Sequence, residues 1–205
     1  MKRLNLENNN TPAEYDEIFI KRKIAGANWQ DLRRWKKLLR FFKGGNLIDI
    51  GCLDSNIPPV AKALSPKSNV WGIDVAETAI HHMQQQYPYV DYRVMDLYKI
   101  EFPDNHFDYA VMGEVIEHLE DPKAAIKEAM RILKPGGRLA LSTPLNEEAE
   151  PGAVDHIHHI WSYSLQDIFD LLKPYGGVDT SVLSSQHFPT YKYAWPSIIA
   201  WVKKK

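Results

Sequence analysis

One cysteine, Cys52, stands alone in a chain of 205 residues. A single thiol excludes an internal disulfide framework and a cysteine-based zinc cage. An excess of either charge is also missing: 25 Lys plus Arg face 26 Asp plus Glu, a formal net charge of -1. Such a chain has no general electrostatic pull towards nucleic acid or an anionic membrane. No nucleic-acid partner and no membrane are therefore expected. The basic stretches 21–23 and 33–37 read as the wet faces of two amphipathic helices. No apolar run is long enough to span a bilayer, and the polar N-terminus is not a signal peptide, so the expected location is cytoplasmic. Internal repeats and low-complexity tracts are missing too.

What is present is an ordinary globular balance, 44% hydrophobic and 25% charged, in a length that supports one full core. Residues 1–10 are polar and read as a frayed end. Thr11-Pro12-Ala13-Glu14 combines an N-cap, a first-turn proline and a capping-box acid, predicting a helix to about residue 25. Asn28 caps a second helix with Trp29, Leu32, Trp35, Leu38, Leu39 and Phe42 at helical spacing, stopped by Gly44-Gly45. Strands then alternate with helices. The strands are predicted over 47–50, 70–73, 90–95, 107–112, 138–142, 178–184 and 193–202, the helices over 57–64, 76–86, 122–133 and 164–172. Pro196 inside the last run marks an edge or bulged strand. The alternation implies an α/β fold, a parallel sheet covered by helices on both faces. No helix separates the last two strands, which suits an antiparallel pair at one edge. Residues 1–43 read as a helical extension or lid, and 44–205 as a single domain.

Ligands in open α/β sheets sit beyond the carboxyl ends of the strands. The first such place is the turn in LIDIGCLDSNI. Asp49 ends the strand, Gly51 permits the turn, and the next helix is expected to present free N–H groups. Asp74 ends the following strand about 20 residues on, as a ribose-binding carboxylate does. A dinucleotide needs a further glycine so that its pyrophosphate can approach the backbone. Leu53 stands in that region, and Asp54 adds negative charge. S-adenosylmethionine carries no phosphate; its ammonium suits Asp49 and its ribose diol suits Asp74. The turn alone is equally consistent with a strand-to-helix connection that binds nothing.

The motifs downstream go further. LIDIGC, VWGIDVAETAI, VMDLYKIEFPDNHFDYAVMGEVIEHLEDP and ILKPGGRLALSTP follow in order. Through them the chain resembles the class I S-adenosylmethionine-dependent methyltransferases, in the broad group of small-molecule and ubiquinone-pathway enzymes. The resemblance runs over about 47–172. In the first motif Asp49 and Gly51 match, while Leu53 and Ser55 replace glycines. The resemblance implies a Rossmann-like sheet of order 3-2-1-4-5-7-6 with the seventh strand antiparallel. It implies S-adenosylmethionine as cofactor, held by Asp49, Gly51, Cys52 and Leu53, by Asp74 on the ribose and Val75 beside it, by Asp96 and Leu97 at the adenine, and by Glu114. Asp96 also reads as a loop cap. Cys52 reads as a small buried residue beside the cofactor rather than a nucleophile.

GEVIEHLEDP places Glu114, Glu117 and His118 at i, i+3 and i+4, one face if the turn is helical. These three could ligate a divalent metal. Glu-x-x-Glu-His resembles the metal site of ubiquinone-pathway O-methyltransferases and, with a later histidine, that of small-RNA 2′-O-methyltransferases. Many relatives carry the same pattern without metal, so no metal is favoured. The candidate catalytic residues are His118 as a substrate-facing base, Glu117, and His159 from the stretch Asp155, His156, His158, His159. His81 and His82 read as surface residues, and His106 and His187 carry no signal. Tyr15, Phe19, Trp29, Tyr191, Tyr193 and Trp195 lie in the regions that flank substrate in the family. The expected activity is methyl transfer to a small molecule, by O-methylation. The competing readings are a nicotinamide-binding protein, a non-catalytic binding module and an RNA 2′-O-methyltransferase.

Overall fold

A computed structural model describes residues 1–4, 10–25, 29–146, 158–184 and 196–205, with side chains for all of these except 21–25 and 29–31. Its strands are β1 (Lys2–Arg3), β2 (Asn46–Ile50), β3 (Asn69–Asp74), β4 (Asp91–Val94), β5 (Phe107–Gly113), β6 (Leu133–Pro144), β7 (Trp161–Ser162), β8 (Gly176–Leu183) and β9 (Ser197–Lys204). Its helices are α1 (Pro12–Ala25), α2 (Trp29–Leu38), α3 (Ile57–Leu64), α4 (Glu77–Gln86), α5 (Pro122–Ile132) and α6 (Leu165–Leu172). Single 3₁₀ turns occur at Ile116–His118 and Lys173–Tyr175.

Seven strands form one sheet in the order β4-β3-β2-β5-β6-β9-β8. Counted along the chain without β1 and β7, that is 3-2-1-4-5-7-6. β2, β3, β4, β5 and β6 run parallel, and β9 lies antiparallel to both β6 and β8. This is the Rossmann-like α/β sheet expected. Pro196 does not sit in the last strand: β9 begins after it, at Ser197, and lies inside the sheet between β6 and β8. The edge belongs to β8, where buried and exposed residues alternate. Pro196 lacks an N–H for a ladder, but its carbonyl accepts the Leu145 N–H at 2.7 Å, so it closes the strand end.

Central strands are buried on both faces and read as continuous apolar runs. Successive residues part to opposite faces. Ile48, Ile50, Met112 and Leu141 pack with Ile126, Ala129 and Met130 of α5 and with Ile168 and Leu172 of α6. Leu47, Val111, Ala140, Ile199 and Trp201 pack with Trp35 and Leu38 of α2, Ile57 and Ala61 of α3, and Ile80 and Met83 of α4. Local capping fixes where helices start. Asp121 accepts the Ala124 N–H at 3.0 Å with Pro122 in the first turn of α5, and Ser164 with Asp167 forms a capping box on α6. The first residues are not frayed, because Lys2 and Arg3 pair with Ser162 and Trp161 of β7.

Candidate active site

The carboxyl ends of β2, β3, β5 and β6 lie side by side at one end of the parallel sheet, and the space above them is the crevice where open α/β sheets bind ligands. On its β2 side the chain turns at Gly51 (φ 71°). A Cβ there would lie 2.8 Å from Val115 Cγ2, so glycine is required for both conformation and space. The N–H groups of Gly51 and Cys52 both donate to the Ile73 carbonyl, at 2.8 and 3.0 Å, pinning the turn to the tip of β3. Leu53, where the resemblance places a glycine, adopts the glycine-like conformation anyway (φ 39°). Its N–H donates to Asp74 Oδ2 at 2.8 Å, and its side chain packs with Phe19, Ala76 and Ala79. The residue that breaks the motif is thus an anchor for α1, at a strain of about 1 kcal/mol.

The start of α3 differs from the sequence expectation. Ile57 N–H is taken by Ser55 Oγ at 3.1 Å, Val60 N–H by the Asn56 carbonyl at 3.0 Å, and the residues between them are Pro58 and Pro59, which have no N–H. No free donor remains to cradle a phosphate. The turn offers carboxylates instead. Asp49 is buried, and its Oδ2 has no hydrogen-bond partner. Burial lifts its carboxyl to about 7 against the Ser55 hydrogen bond that lowers it, with the Asp74 charge raising it further. Asp74 is also raised by burial, countered by hydrogen bonds from Ala76, Leu53 and Val75 N–H groups. Its oxygens keep further acceptor capacity. Beyond Asp74 lies an open cavity of about 340 Å³ lined by Val75, Met95, Asp96, Lys99 and Pro12 of α1. Asp96 faces it while Oδ1 caps the Tyr98 N–H at 2.8 Å, so its loop-capping and ligand-facing readings coexist. Leu97 packs partly into the core. Cys52 is buried, and burial with the neighbouring Asp74 and Asp49 charges pushes its thiol well up, leaving it no nucleophile.

The other side of the crevice is assembled from distant segments. Glu114 leaves β5 in a left-handed conformation (φ 57°) with its N–H on the Ser142 carbonyl at 3.0 Å. The single 3₁₀ turn then begins at Ile116, so Glu114 is not on its face. Instead Glu117, His118 and His159 bring one ligand atom each within 4.8 Å of one another. Glu117 is fully buried. Thr143 Oγ1 donates to its Oε2 at 3.0 Å, and Oε1 has no partner. Burial, then the Glu114 charge, lifts its carboxyl to about 8, against the lowering effects of His159, its backbone hydrogen bond and Thr143. His118 Nδ1 lies 2.9 Å from the His158 carbonyl; a carbonyl only accepts, so Nδ1 carries the proton and the neutral ring keeps its lone pair on Nε2. The His118 and His159 rings meet edge to face at 4.6 Å. Such a group can move a proton, and its donor set also suits a divalent ion.

Several contributors carry no motif. Asn10 Nδ2 donates to the carbonyls of both His118 and His158, at 2.8 and 3.0 Å. On α1, Tyr15 meets His118 edge on at 6.1 Å, Glu14 lies 3.5 Å from His158, and Asp16 Oδ1 caps the Thr78 N–H at 2.9 Å. Helix α1 therefore lies across the crevice, tied to both sides. Asp16 supplies α4 with the cap that its own Ala76 cannot. The sequence had pointed this way through the Thr11-Pro12 helix start, the reading of 1–43 as an extension or lid, and Tyr15 and Phe19 in a region that flanks substrate in the family. Asp155, His156, His187, Tyr191, Tyr193 and Trp195 lie outside the described residues, as does the side chain of Trp29. His106 packs with Phe102, Trp71 and Phe107, away from the crevice. His82 lies 5.4 Å from the Phe19 ring, and His81 is exposed.

Residues 48–141 match the family described as methyltransferase domain. A protein of Mycolicibacterium smegmatis described as a probable S-adenosylmethionine-dependent methyltransferase is 30% identical over 58% of this chain and 45% of its own length. A demethylmenaquinone methyltransferase of Listeria welshimeri is 31% identical over 52% of this chain and 50% of its own. The chain thus spans about half the length of these curated relatives. Among solved structures, a SAM-dependent methyltransferase from Thermotoga maritima superposes with a TM-score of 0.72 at 17% identity, over 94% of this chain and 99% of that one. That likeness is one of fold. No described helix is long and apolar enough to cross a membrane.

Proposed function

We propose that this chain, whose residues 48–141 match the methyltransferase domain family, is a class I S-adenosylmethionine-dependent methyltransferase that transfers a methyl group to a small-molecule acceptor, and that the acceptor atom is a hydroxyl oxygen. The observation that carries the reading is the turn after β2. It presents a buried Asp49 carboxylate whose Oδ2 has no partner, above a helix start without free N–H donors. That arrangement suits an ammonium and rejects a diphosphate, which disfavours a nicotinamide dinucleotide.

Asp49 holds the ammonium, Asp74 accepts from the ribose hydroxyls, and Val75, Asp96 and Leu97 border the adenine. Gly51, Cys52 and Leu53 shape the wall behind. Bound there, S-adenosylmethionine supplies a sulfonium methyl already activated for displacement. The chain's own task is to align the acceptor, exclude water and remove one proton. Helix α1, crossing from Leu53 to His118, covers the crevice as a lid. His118 Nε2 takes the hydroxyl proton while the His158 carbonyl steadies Nδ1–H. Glu117 and His159 stand beside it to balance the charge that develops. The relatives that act on demethylmenaquinone support a small acceptor.

Equilibrium dialysis tests this reading. S-adenosylhomocysteine should bind with a dissociation constant in the micromolar range, on the order of 8 kcal/mol, and NAD should not bind. Asp74→Ala should weaken the binding by more than about tenfold, because ribose hydroxyls lose a charged acceptor. Binding of NAD, or an unchanged affinity in Asp74→Ala, contradicts it.

A further inference from the structure

We propose that the chain binds the pyrophosphate group of a soluble ligand on a basic shelf at the end of the sheet opposite the crevice. Three strands build the shelf. Arg138 of β6, Lys203 of β9 and Gly177 of β8 stand in register, and directly opposed residues project from the same face. Ala140 and Trp201, the next pair on that face, pack into the core beneath α2. Arg138 lies four residues before Ser142, the partner of Gly113 at the end of β5. That is about 13 Å of strand, so the shelf is remote from the strand tips. Gly177 is exposed, and a Cβ on it would meet nothing within 4 Å, so the space beside Lys203 is open.

Two guanidiniums converge here on one aromatic pair. Phe41, just past the end of α2, lies on Trp201 edge to face at 5.5 Å. Arg138 Cζ is 4.5 Å and Arg40 Cζ 5.0 Å from the Phe41 centroid, and Arg40 Cζ is 5.8 Å from that of Trp201. Stacking engages the flat face of a guanidinium and leaves its edge of N–H donors for a ligand. Lys37 of α2 reaches across to β8, where its Nζ donates to the Ser181 hydroxyl at 2.9 Å. Lys203 is exposed, and its Cε lies 3.8 Å from where a Cβ on Gly136 would stand. Four cations thus border one shelf, in a chain whose formal net charge is -1. None of the four forms an ion pair among the described residues. Asp179, exposed and in register with Trp201, adds one carboxylate to the same face. The carbonyls that end α2 attract Lys37 and Arg40, but no comparable dipole acts on Arg138 and Lys203, which stand on strands. Like charges held side by side repel, and a polyanion relieves that repulsion. A lone carboxylate answers one of the four cations. A pyrophosphate carries several charges, with oxygens enough for both forks and a lysine together.

Calorimetric titration of the full chain with sodium pyrophosphate tests this. The expected dissociation constant is about 100 µM at low salt, weakening as sodium chloride is added. Arg138→Gln should weaken binding by about tenfold or more. Arg138→Lys should fall between, since it keeps the charge and loses the planar fork. Asp179→Asn should tighten binding by about twofold, because it removes a carboxylate that repels phosphate. If Arg138→Gln does not fold, Lys203→Gln at an exposed position carries the same comparison. Pyrophosphate should still bind when S-adenosylhomocysteine is present at saturation, because the two sites lie at opposite ends of the sheet. No heat of binding at about 1 mM pyrophosphate, or binding indifferent to both Arg138→Gln and Asp179→Asn, overturns the inference. So does displacement of pyrophosphate by S-adenosylhomocysteine, which would put the anion in the crevice. Adsorption to vesicles of anionic phospholipid by a chain that leaves pyrophosphate unbound overturns it as well.

Discussion

The two sides of the crevice are built in opposite ways. The β2 side is local. Asp49, Gly51, Cys52 and Leu53 are consecutive or nearly so, and Asp74 joins them by accepting the Leu53 N–H. The β5 side is tertiary. Asn10, Glu117, Thr143, His158 and His159 come from segments far apart and meet through hydrogen bonds to side chains and carbonyls. The difference teaches that the binding half is specified by a short stretch of chain, whereas the half suited to proton transfer exists only once segments distant in sequence have packed together.

The pH dependence should separate the halves with the largest effect. Asp49 and Glu117 titrate near 7 and 8 in the folded chain against 3.8 and 4.5 for the unperturbed groups. The folded state holds protons that the unfolded chain releases. The contribution of these two groups to stability is therefore full at about pH 4 and is lost as pH rises through 8, by at most several kcal/mol. Denaturant melts should show this decline, and Asp49→Asn and Glu117→Gln should each remove part of it. Cofactor affinity moves the other way, rising with pH towards 7 as Asp49 ionises to meet an ammonium.

Asp49→Asn comes next. Removing a buried charge partner from a bound cation should weaken S-adenosylhomocysteine by about a hundredfold. The fold should survive, because the amide replaces a carboxyl that burial already keeps largely protonated in acid. Dialysis with a parallel thermal melt checks both halves of the statement. Asn10→Ala should do the reverse. It takes the Asn10 donor from the His118 carbonyl and one of two donors from the His158 carbonyl, costing about 1–2 kcal/mol, while cofactor affinity stays within about twofold. A matching loss of affinity would mean that the two sides are not separable.

Leu53→Gly should have the smallest effect. It relieves a left-handed leucine worth about 1 kcal/mol and gives up an apolar contact of similar size. Overall stability should barely change. Hydrogen exchange within α1 should nevertheless quicken, because Phe19 loses part of its seat.

The same contrast explains what could be read from the chain. Strands and helices were legible from 47 to 172 because apolar periodicity, caps and prolines act locally; the helix at Ile57–Leu64 was read with the bounds the structure shows. The proline at 196 misled, since a residue at a strand start and one inside a strand look alike in sequence. Free donors were expected at α3 where the structure has none, because the two prolines matter only once the first turn is located. On the acceptor side, spacing suggested Glu114, Glu117 and His118 on one helical face. A left-handed Glu114 removes it from that face, and His159 takes its place. Asn10 itself announces no role, because its partners His118 and His158 lie more than 100 residues away.

The central claim is that the strand tips hold an adenosyl sulfonium through carboxylates and without a phosphate cradle. A crystal grown with S-adenosylhomocysteine measures this directly. The account predicts the ribose hydroxyls on Asp74, the adenine between Val75 and Asp96, and the ammonium on Asp49. A crevice that stays empty at saturating ligand, or an adenosyl group seated away from the tip of β3, contradicts it.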